Sequence, residues 1–375
     1  MEAADVIDFE SSSTEVLLNP RLPAPERDRL TSMVRALPPL DGHIWVTTSG
    51  SSGALKLVAL AKDALLASAA AVNRHLDARA SDVWCSPLPT FHVGGIGIYA
   101  RASLASNEVV RLDRWSAQAF ADLAEEESVT LTALVPAHVA DLVRSGVHAP
   151  TSLRAIVVGG GALSERLYDA ARARGWPLLP SYGMTEACSQ IATAALASIA
   201  TRGVPALELL PHLEARLDDG RLAIRGSSLF TGYGFEEAGV ARFLDPKRDG
   251  WFVSEDDAEI STDGGGTTIR PLGRSSEFLK IGGESTSLAR LQEIAERAAG
   301  AHGADAAAMA VPDERLGMVI HLAVSRGAVA GDVRRTFDER VLPFERAREV
   351  HVIAIPRSPL GKLQREELRR AIGES

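Results

Sequence analysis

Two segments far apart in this chain place complementary polar groups at close spacing: Thr47-Thr48-Ser49-Gly50-Ser51-Ser52-Gly53-Ala54-Leu55-Lys56, and Ser181-Tyr182-Gly183-Met184-Thr185-Glu186-Ala187-Cys188-Ser189-Gln190. The first offers hydroxyl donors and flexible backbone amides, with Lys56 adding charge, and such a loop can wrap the β- and γ-phosphates of a nucleotide. A plain Ser/Gly-rich surface turn also fits that segment when it is read alone. It is not a Walker loop, because no Gly-Lys-Ser/Thr occurs at the required spacing. Nor is it a nucleophile elbow, since Gly-x-Ser-x-Gly is missing. The second segment lines up an aromatic ring, a hydroxyl and a carboxylate. Tyr182 offers a stacking face, Thr185 a hydroxyl for a phosphate oxygen, and Glu186 a carboxylate of the kind Mg²⁺ takes together with phosphate oxygens.

Further polar sites follow along the chain. Gly159, Gly160 and Gly161 stand between an expected strand and an expected helix, where bare backbone can approach a flat ligand, although a packing turn explains them as well. Acidic residues cluster at Glu255, Asp256 and Asp257, and Arg274 follows in Leu272-Gly273-Arg274. Each of these could be an ordinary surface charge. His92 stands in Pro89-Thr90-Phe91-His92-Val93-Gly94-Gly95, and a lone histidine is more often structural than functional. Gly95-Ile96-Gly97 is a formal dinucleotide-type match that prolines, rather than a strand, precede, and it is discounted. Near the C-terminus, Gly361-Lys362 lies within Ser358-Pro359-Leu360-Gly361-Lys362-Leu363.

The elements that must position these groups read as α/β units. From about residue 44 to 272, short apolar runs alternate with helical periodicity, the pattern of parallel strands with crossover helices. Residues 43–48, 129–136 and 153–160 read as strands and a further strand is expected at 176–180. Residues 63–76 read as a helix capped by Asp63, and 162–175 as a helix stopped by Gly175. Loops at the carboxyl ends of such strands meet in one crevice, where the chemistry is expected. After Ala206 the alternation shortens into a β-rich subdomain, about 206–273, with a hairpin turned at Asp219-Gly220. Residues 274–375 read as a small α+β domain of their own, joined to domain 1–273 by a tight hinge near Gly273 to Glu277.

Bulk properties exclude other classes. The net charge of −9 with 40 basic residues argues against a nucleic-acid protein. Two cysteines, Cys85 and Cys188, are too few for a disulfide framework and lack zinc-site spacing, so both are expected to be reduced packing residues. The acidic start has no signal-peptide pattern and no run is long and apolar enough to span a bilayer. A soluble, cytoplasmic protein without membrane insertion is expected.

Taken in order with the segments near 250, 272 and 358, these motifs resemble the adenylate-forming acyl-CoA ligases. Within that family the wording of Ser181–Gln190, Pro89–Gly95 and Gly282-Gly283-Glu284-Ser285 is most similar to the o-succinylbenzoate-CoA ligases of menaquinone synthesis. The resemblance covers roughly residues 44 to 368. It implies a large α/β domain carrying a β-rich subdomain, with a mobile C-terminal lid that hinges at Ser276, where the family has Asp or Lys, and ATP, Mg²⁺ and CoA as the molecules used.

In that reading Thr48, Ser49, Gly50, Ser51, Ser52, Gly53 and Lys56 hold the phosphates, with Leu55 where the family has proline. Gly160, Gly161, Tyr182, Gly183 and Met184 hold the adenine, Thr185 the α-phosphate and Glu186 the metal. Asp256 takes the ribose hydroxyls with Arg274 as its partner, although Asp257 leaves that register open by one and Glu255 replaces a usual glycine. His92, Gly159, Ser181 and Ser189 face the acid, His92 standing between the acyl pocket and the thiol channel. Lys362 is the mobile catalytic lysine, and Gly282 and Gly283 turn toward a pantetheine channel. Other aryl or fatty acids, a carrier protein as acceptor, and a non-catalytic nucleotide-binding relative stay open at this point. Family members carry a much longer region before the phosphate loop, so an altered packing surface or a homodimer partner is expected to replace the missing contacts.

Overall fold

The hydroxyl-rich loop lies between two antiparallel strands, β1 (His43–Ser49) and β2 (Leu55–Ala61), with Thr47 opposite Leu57 and Thr48 opposite Lys56. In this computed structural model the described residues are 7–20, 22–49, 55–161, 163–264, 266–274, 278–281, 284–313, 316–358 and 361–373. The tip of that loop, Gly50 to Gly53, lies outside them. Strand β2 was not anticipated from the sequence. Leu57, Val58, Ala59 and Leu60 are all buried, so both faces are covered and no period-of-two signal marks the strand. It runs directly into helix α1 (Lys62–His75), whose N-cap is Ala61. Asp63 therefore sits in the first turn rather than at the cap.

The chain divides into two units, one comprising Met1–Asp218, Leu222–Ser254 and Ile260–Arg270, the other Asp219–Arg221, Glu255–Glu259 and Pro271–Ser375. In the first, five strands run parallel: β3 (Val83–Ser86), β4 (Glu108–Arg111), β5 (Leu131–Leu134), β6 (Ala155–Val158) and β7 (Leu178–Met184). Helix α2 (Val93–Ala105) connects β3 to β4. The spatial order is β4-β3-β5-β6-β7, so the winding reverses between β3 and β5, the position where open α/β sheets form a ligand crevice at their carboxyl ends. Four-residue strands buried along their whole length, such as Leu131–Leu134 and Ala155–Val158, are what a sheet with helices on both faces requires. Phe120, Tyr168 and Trp176 fill the space under the helices of one face.

Strand β7 extends through Ser181 and Met184, so Ser-Tyr-Gly-Met belongs to the strand rather than following it. It pairs antiparallel with β8 (Ser189–Ala194), with a bulge at Tyr182/Gly183. A separate five-stranded sheet contains β1, β2 and β9 (Gly232–Glu237), with Tyr233 opposite Val58. The expected hairpin turn is present: Asp219 and Gly220 both have positive φ, 51° and 79°, as a type I′ turn demands.

In the second unit, helix α3 (Leu288–Gly300) and helix α4 (Ala330–Asp338) pack on a sheet of β10 (Ala306–Asp313), β11 (Gly317–Val324) and β12 (Ala347–Val352). Ala306, Ala308, Ile320, Leu322 and Val324 form that core. Helix α5 (Arg365–Ala371) buries Leu368 against Ala307, Met309 and Ala323 on the other face.

Candidate active site

The chain returns after the 178–184 strand so closely that only glycine fits at residue 183. Cys188 and Ser189 take φ of 52° and 121°, and this tight return brings the Ser189 carbonyl over Gly183. A Cβ at Gly183 would lie 1.8 Å from that oxygen. The return projects Thr185 and Glu186 from a single 3-10 turn, Thr185–Ala187, both half-buried.

Glu186 is held at both ends. Its backbone carbonyl accepts from the Phe230 amide at 2.8 Å, and its carboxylate Oε1 accepts the Tyr233 hydroxyl at 2.7 Å. Lys56 Nζ lies 5.6 Å from the Tyr233 ring centroid. The segment carrying Tyr233 is itself pinned, since Lys247 Nζ donates to the carbonyls of Phe230 at 2.7 Å and Thr231 at 3.1 Å. The fold thus brings Lys56, Glu186 and Tyr233 together from three distant segments. The sequence reading missed Tyr233, although an aromatic residue between glycines in Thr231-Gly232-Tyr233-Gly234 is a visible signal.

At the neighbouring strand end, the Gly159 amide donates to the Leu134 carbonyl at 3.1 Å, tying β6 to β5. A Cβ on Gly159 would come within 3.0 Å of Ser181 Oγ, so the two residues are immediate neighbours. Gly160 adopts φ 77° in the same turn.

His92 occupies the N-cap position of α2, its ring 4.6 Å from that of Phe91. Gly95, one turn on, is required by packing, since a Cβ there would sit 2.2 Å from the Pro89 carbonyl oxygen. That close approach accounts for the dinucleotide-like glycine without a nucleotide.

The same helix carries Arg101, which is 2% exposed. Its guanidinium lies 5.5 Å from the Trp84 ring, and among the described residues neither Nε nor Nη1 has a hydrogen-bond partner. Burial lowers its pKa to about 10, which leaves it charged at neutral pH. A buried cation without hydrogen-bonded anions is costly, and the Trp84 ring face offsets part of that cost. The side-chain position left vacant by Gly97 lies 2.9 Å from Arg101 Nη2 and 3.7 Å from Ser189 Oγ. Arg101 was passed over in the sequence, where the available signal was one arginine in an otherwise uncharged helix.

Ser49 and Arg274 have described backbones only, and Gly282, Gly283 and the hinge residue Ser276 lie outside the described residues. Asp256 and Asp257 are half-buried in the strand Phe252–Asp263, where alternation puts Asp256 on the side of buried Phe252, Ser254 and Ala258, and Asp257 with exposed Glu255 and Glu259. Lys362, in the second unit, is exposed within a turn. Its carbonyl accepts from the Ser358 amide at 2.8 Å, and Arg357 donates to the Gly361 carbonyl at 3.0 Å. Arg357 is in turn gripped by Asp305 at 2.8 Å and Glu296 at 3.0 Å. Cys85 and Cys188 are buried free thiols, and burial pushes the Cys85 pKa up to about 12, which makes it a packing group. Among the described residues no helix is long and apolar enough to cross a membrane.

A 2-succinylbenzoate–CoA ligase of Staphylococcus aureus (strain MSSA476) is 28% identical over 340 residues, covering 86% of this chain and 66% of the relative. The chain therefore spans just under two thirds of the length of the curated relatives it matches. The o-succinylbenzoate CoA synthetase (MenE) of Bacillus subtilis, solved with the acyl-adenylate OSB-AMP, superposes with a TM-score of 0.74 at 25% identity, covering 87% of this chain and 68% of that one. An E. coli MenE variant solved with OSB-AMS has a TM-score of 0.75 at 21% identity, covering 96% and 88%, and speaks to the fold alone. The fold is that of the adenylate-forming ligases, as the motifs implied. The model of the family described as AMP-binding enzyme matches residues 4–234, more than half of the sequence, and the chain belongs to that family.

Proposed function

We propose that this chain is an ATP-dependent acid-CoA ligase that activates o-succinylbenzoate as its adenylate and passes the acyl group to CoA in menaquinone synthesis. The observation that carries the choice of acid is Arg101. A substrate with two carboxylates can present one to the α-phosphate and still need a counter-charge for the other. A buried guanidinium with unsatisfied nitrogens, bordering Gly97 and Ser189, suits the second carboxylate. The S. aureus 2-succinylbenzoate–CoA ligase and the B. subtilis complex with OSB-AMP support the same acid.

In this reading Glu186, aimed by Tyr233, holds Mg²⁺, an ion that binds through one or two carboxylates plus phosphate oxygens and supplies charge neutralisation there. Thr185 donates to the α-phosphate, while Lys56 and the loop Thr47 to Gly53 hold the outer phosphates. Tyr182 stacks on the adenine against Gly160 and Gly161, and Asp256 with Arg274 takes the ribose. The substrate carboxylate oxygen bonds to the α-phosphorus as the bond to pyrophosphate breaks, with Lys362 placing positive charge against the developing negative charge. Residues 274–375 then turn as a lid about Ser276, bringing Gly282 and Gly283 to the pantetheine. The CoA sulfur bonds to the acyl carbon past His92 as the bond from that carbon to the AMP phosphate oxygen breaks, AMP leaves, and the thiol proton passes to solvent. A cytoplasmic location and a homodimer complete the proposal, and sedimentation velocity tests the second.

The test is CoA-dependent AMP formation measured with o-succinylbenzoate, benzoate, succinate and octanoate. The proposal expects o-succinylbenzoate to be turned over well above the other three. Equal or better turnover of octanoate would remove the choice of acid and leave the ligase class standing.

A further inference from the structure

The second unit carries a cluster that the proposed ligase chemistry does not use. His321 Nδ1 lies 3.0 Å from His351 Nε2, and Glu349 Oε2 lies 3.8 Å from the same His351 nitrogen. The three ligand atoms fall within 4.8 Å of one another. We infer that His321, Glu349 and His351 form a binding site for a zinc-class divalent cation.

The strand register assembles the cluster. Ile320 pairs with Ala347, yet the next residue, His321, pairs with Glu349, because a bulge skips Arg348. A one-residue slip exchanges the faces of a strand. Without the bulge, His321 would share its face with Arg348 and Val350. With it, Val350 turns to the core beneath α3 and α4, and Glu349 and His351 join His321 on the opposite face. That face also holds Met309, which pairs with His321, and Ala323, which pairs with His351.

The distances suit a metal. Ligands about 2.0–2.1 Å from a tetrahedral zinc stand roughly 3.3 Å apart, and 3.0 and 3.8 Å bracket that separation. Two imidazoles, which are borderline ligands, beside one carboxylate favour zinc, cobalt or nickel over Mg²⁺ and Ca²⁺, which prefer sets made of oxygen alone. Three protein ligands leave a fourth position for water. In the metal-free chain the two rings share a hydrogen bond, and on cation binding the donor ring carries its proton on its other nitrogen, so that both facing nitrogens offer lone pairs.

The test uses the full chain after chelator treatment, titrated with Zn²⁺ by calorimetry and with Co²⁺ by visible absorption. One Zn²⁺ per chain is expected, with tetrahedral-type cobalt bands and a rise in melting temperature on zinc addition. His321→Gln and His351→Gln should each weaken zinc binding by on the order of 100-fold, and Glu349→Gln by about 10-fold. Zinc uptake that is absent, or that is equal in the parent and the two histidine variants, would overturn the site and leave only a histidine-histidine hydrogen bond. Glu349 is well exposed, so Glu349→Gln keeps the fold even if the histidine variants do not. Unchanged zinc affinity in it would overturn the three-ligand assignment.

Discussion

Tyr233 donates its phenolic hydroxyl to Glu186 Oε1 at 2.7 Å, so a residue of one sheet fixes the carboxylate that another sheet projects. The contact engages Oε1 and leaves Oε2 as the oxygen that the proposed Mg²⁺ would take. Tyr233→Phe keeps the ring near Lys56 and removes only the donor. A loss of roughly tenfold in activity at low Mg²⁺, largely recovered at high Mg²⁺, is expected, with the melting temperature within a few degrees of the parent. Pyrophosphate release across a magnesium titration measures it, and an unchanged profile would mean that Tyr233 does not aim the carboxylate.

Arg101→Leu separates function from stability. Replacing a buried, unpaired charge with an apolar side chain is often neutral or stabilising. The variant should therefore melt at or above the parental temperature while losing on the order of 100-fold in turnover of o-succinylbenzoate, because a charge-assisted pair to the substrate is gone. Turnover of benzoate should change little. Equal losses on both acids would show that Arg101 does not read the second carboxylate.

What could be read in advance divides along physical lines. Strands Leu131–Leu134 and Ala155–Val158 were visible because continuous apolar runs flanked by helical periodicity have few other uses, and the motif residues Ser181 to Glu186 were visible because their types are contiguous. Strand Leu55–Ala61 was hidden because it is buried on both faces and carries no alternation. The Glu186–Tyr233 bond joins residues 47 apart in the chain, which no local pattern records. Arg101 reads as an ordinary polar helix residue until the packing of Trp84 beside it shows that it is buried. The bulge at Arg348 was equally silent, since the segment alternates well enough to pass for a regular strand.

Burial holds His138 and His212 down at about 4, with His138 stacked 3.8 Å from the Trp115 ring and Asp141 opposing the shift. Their ordinary value is 6.5, so between roughly pH 6.5 and 4 the unfolded chain binds protons that the folded chain refuses. Their contribution is fully present above pH 6.5 and is lost as pH falls through that window. Urea unfolding should give a stability that rises with pH from 5 to 6.5, and His138→Phe should reduce that slope by up to about one proton. A slope identical to the parent would contradict the assignment.

Lys362→Ala should split the two half-reactions. Losing a preorganised charge at the transition state typically costs on the order of 10²-fold to 10³-fold. The variant should fail to make acyl-adenylate from acid and ATP, yet convert supplied acyl-adenylate and CoA to thioester at near the parental rate. If both steps fell together with the fold intact, the proposed lid rotation would be wrong for this chain.

The most direct measurement is exchange of labelled pyrophosphate into ATP, without CoA, in the presence and absence of o-succinylbenzoate. The proposed chemistry predicts exchange that requires both the acid and Mg²⁺ and that falls by about tenfold or more in Glu186→Gln with its melting temperature retained. Absence of acid-dependent exchange with o-succinylbenzoate and with every other carboxylic acid offered, by a folded chain that still binds ATP, would contradict adenylate formation itself.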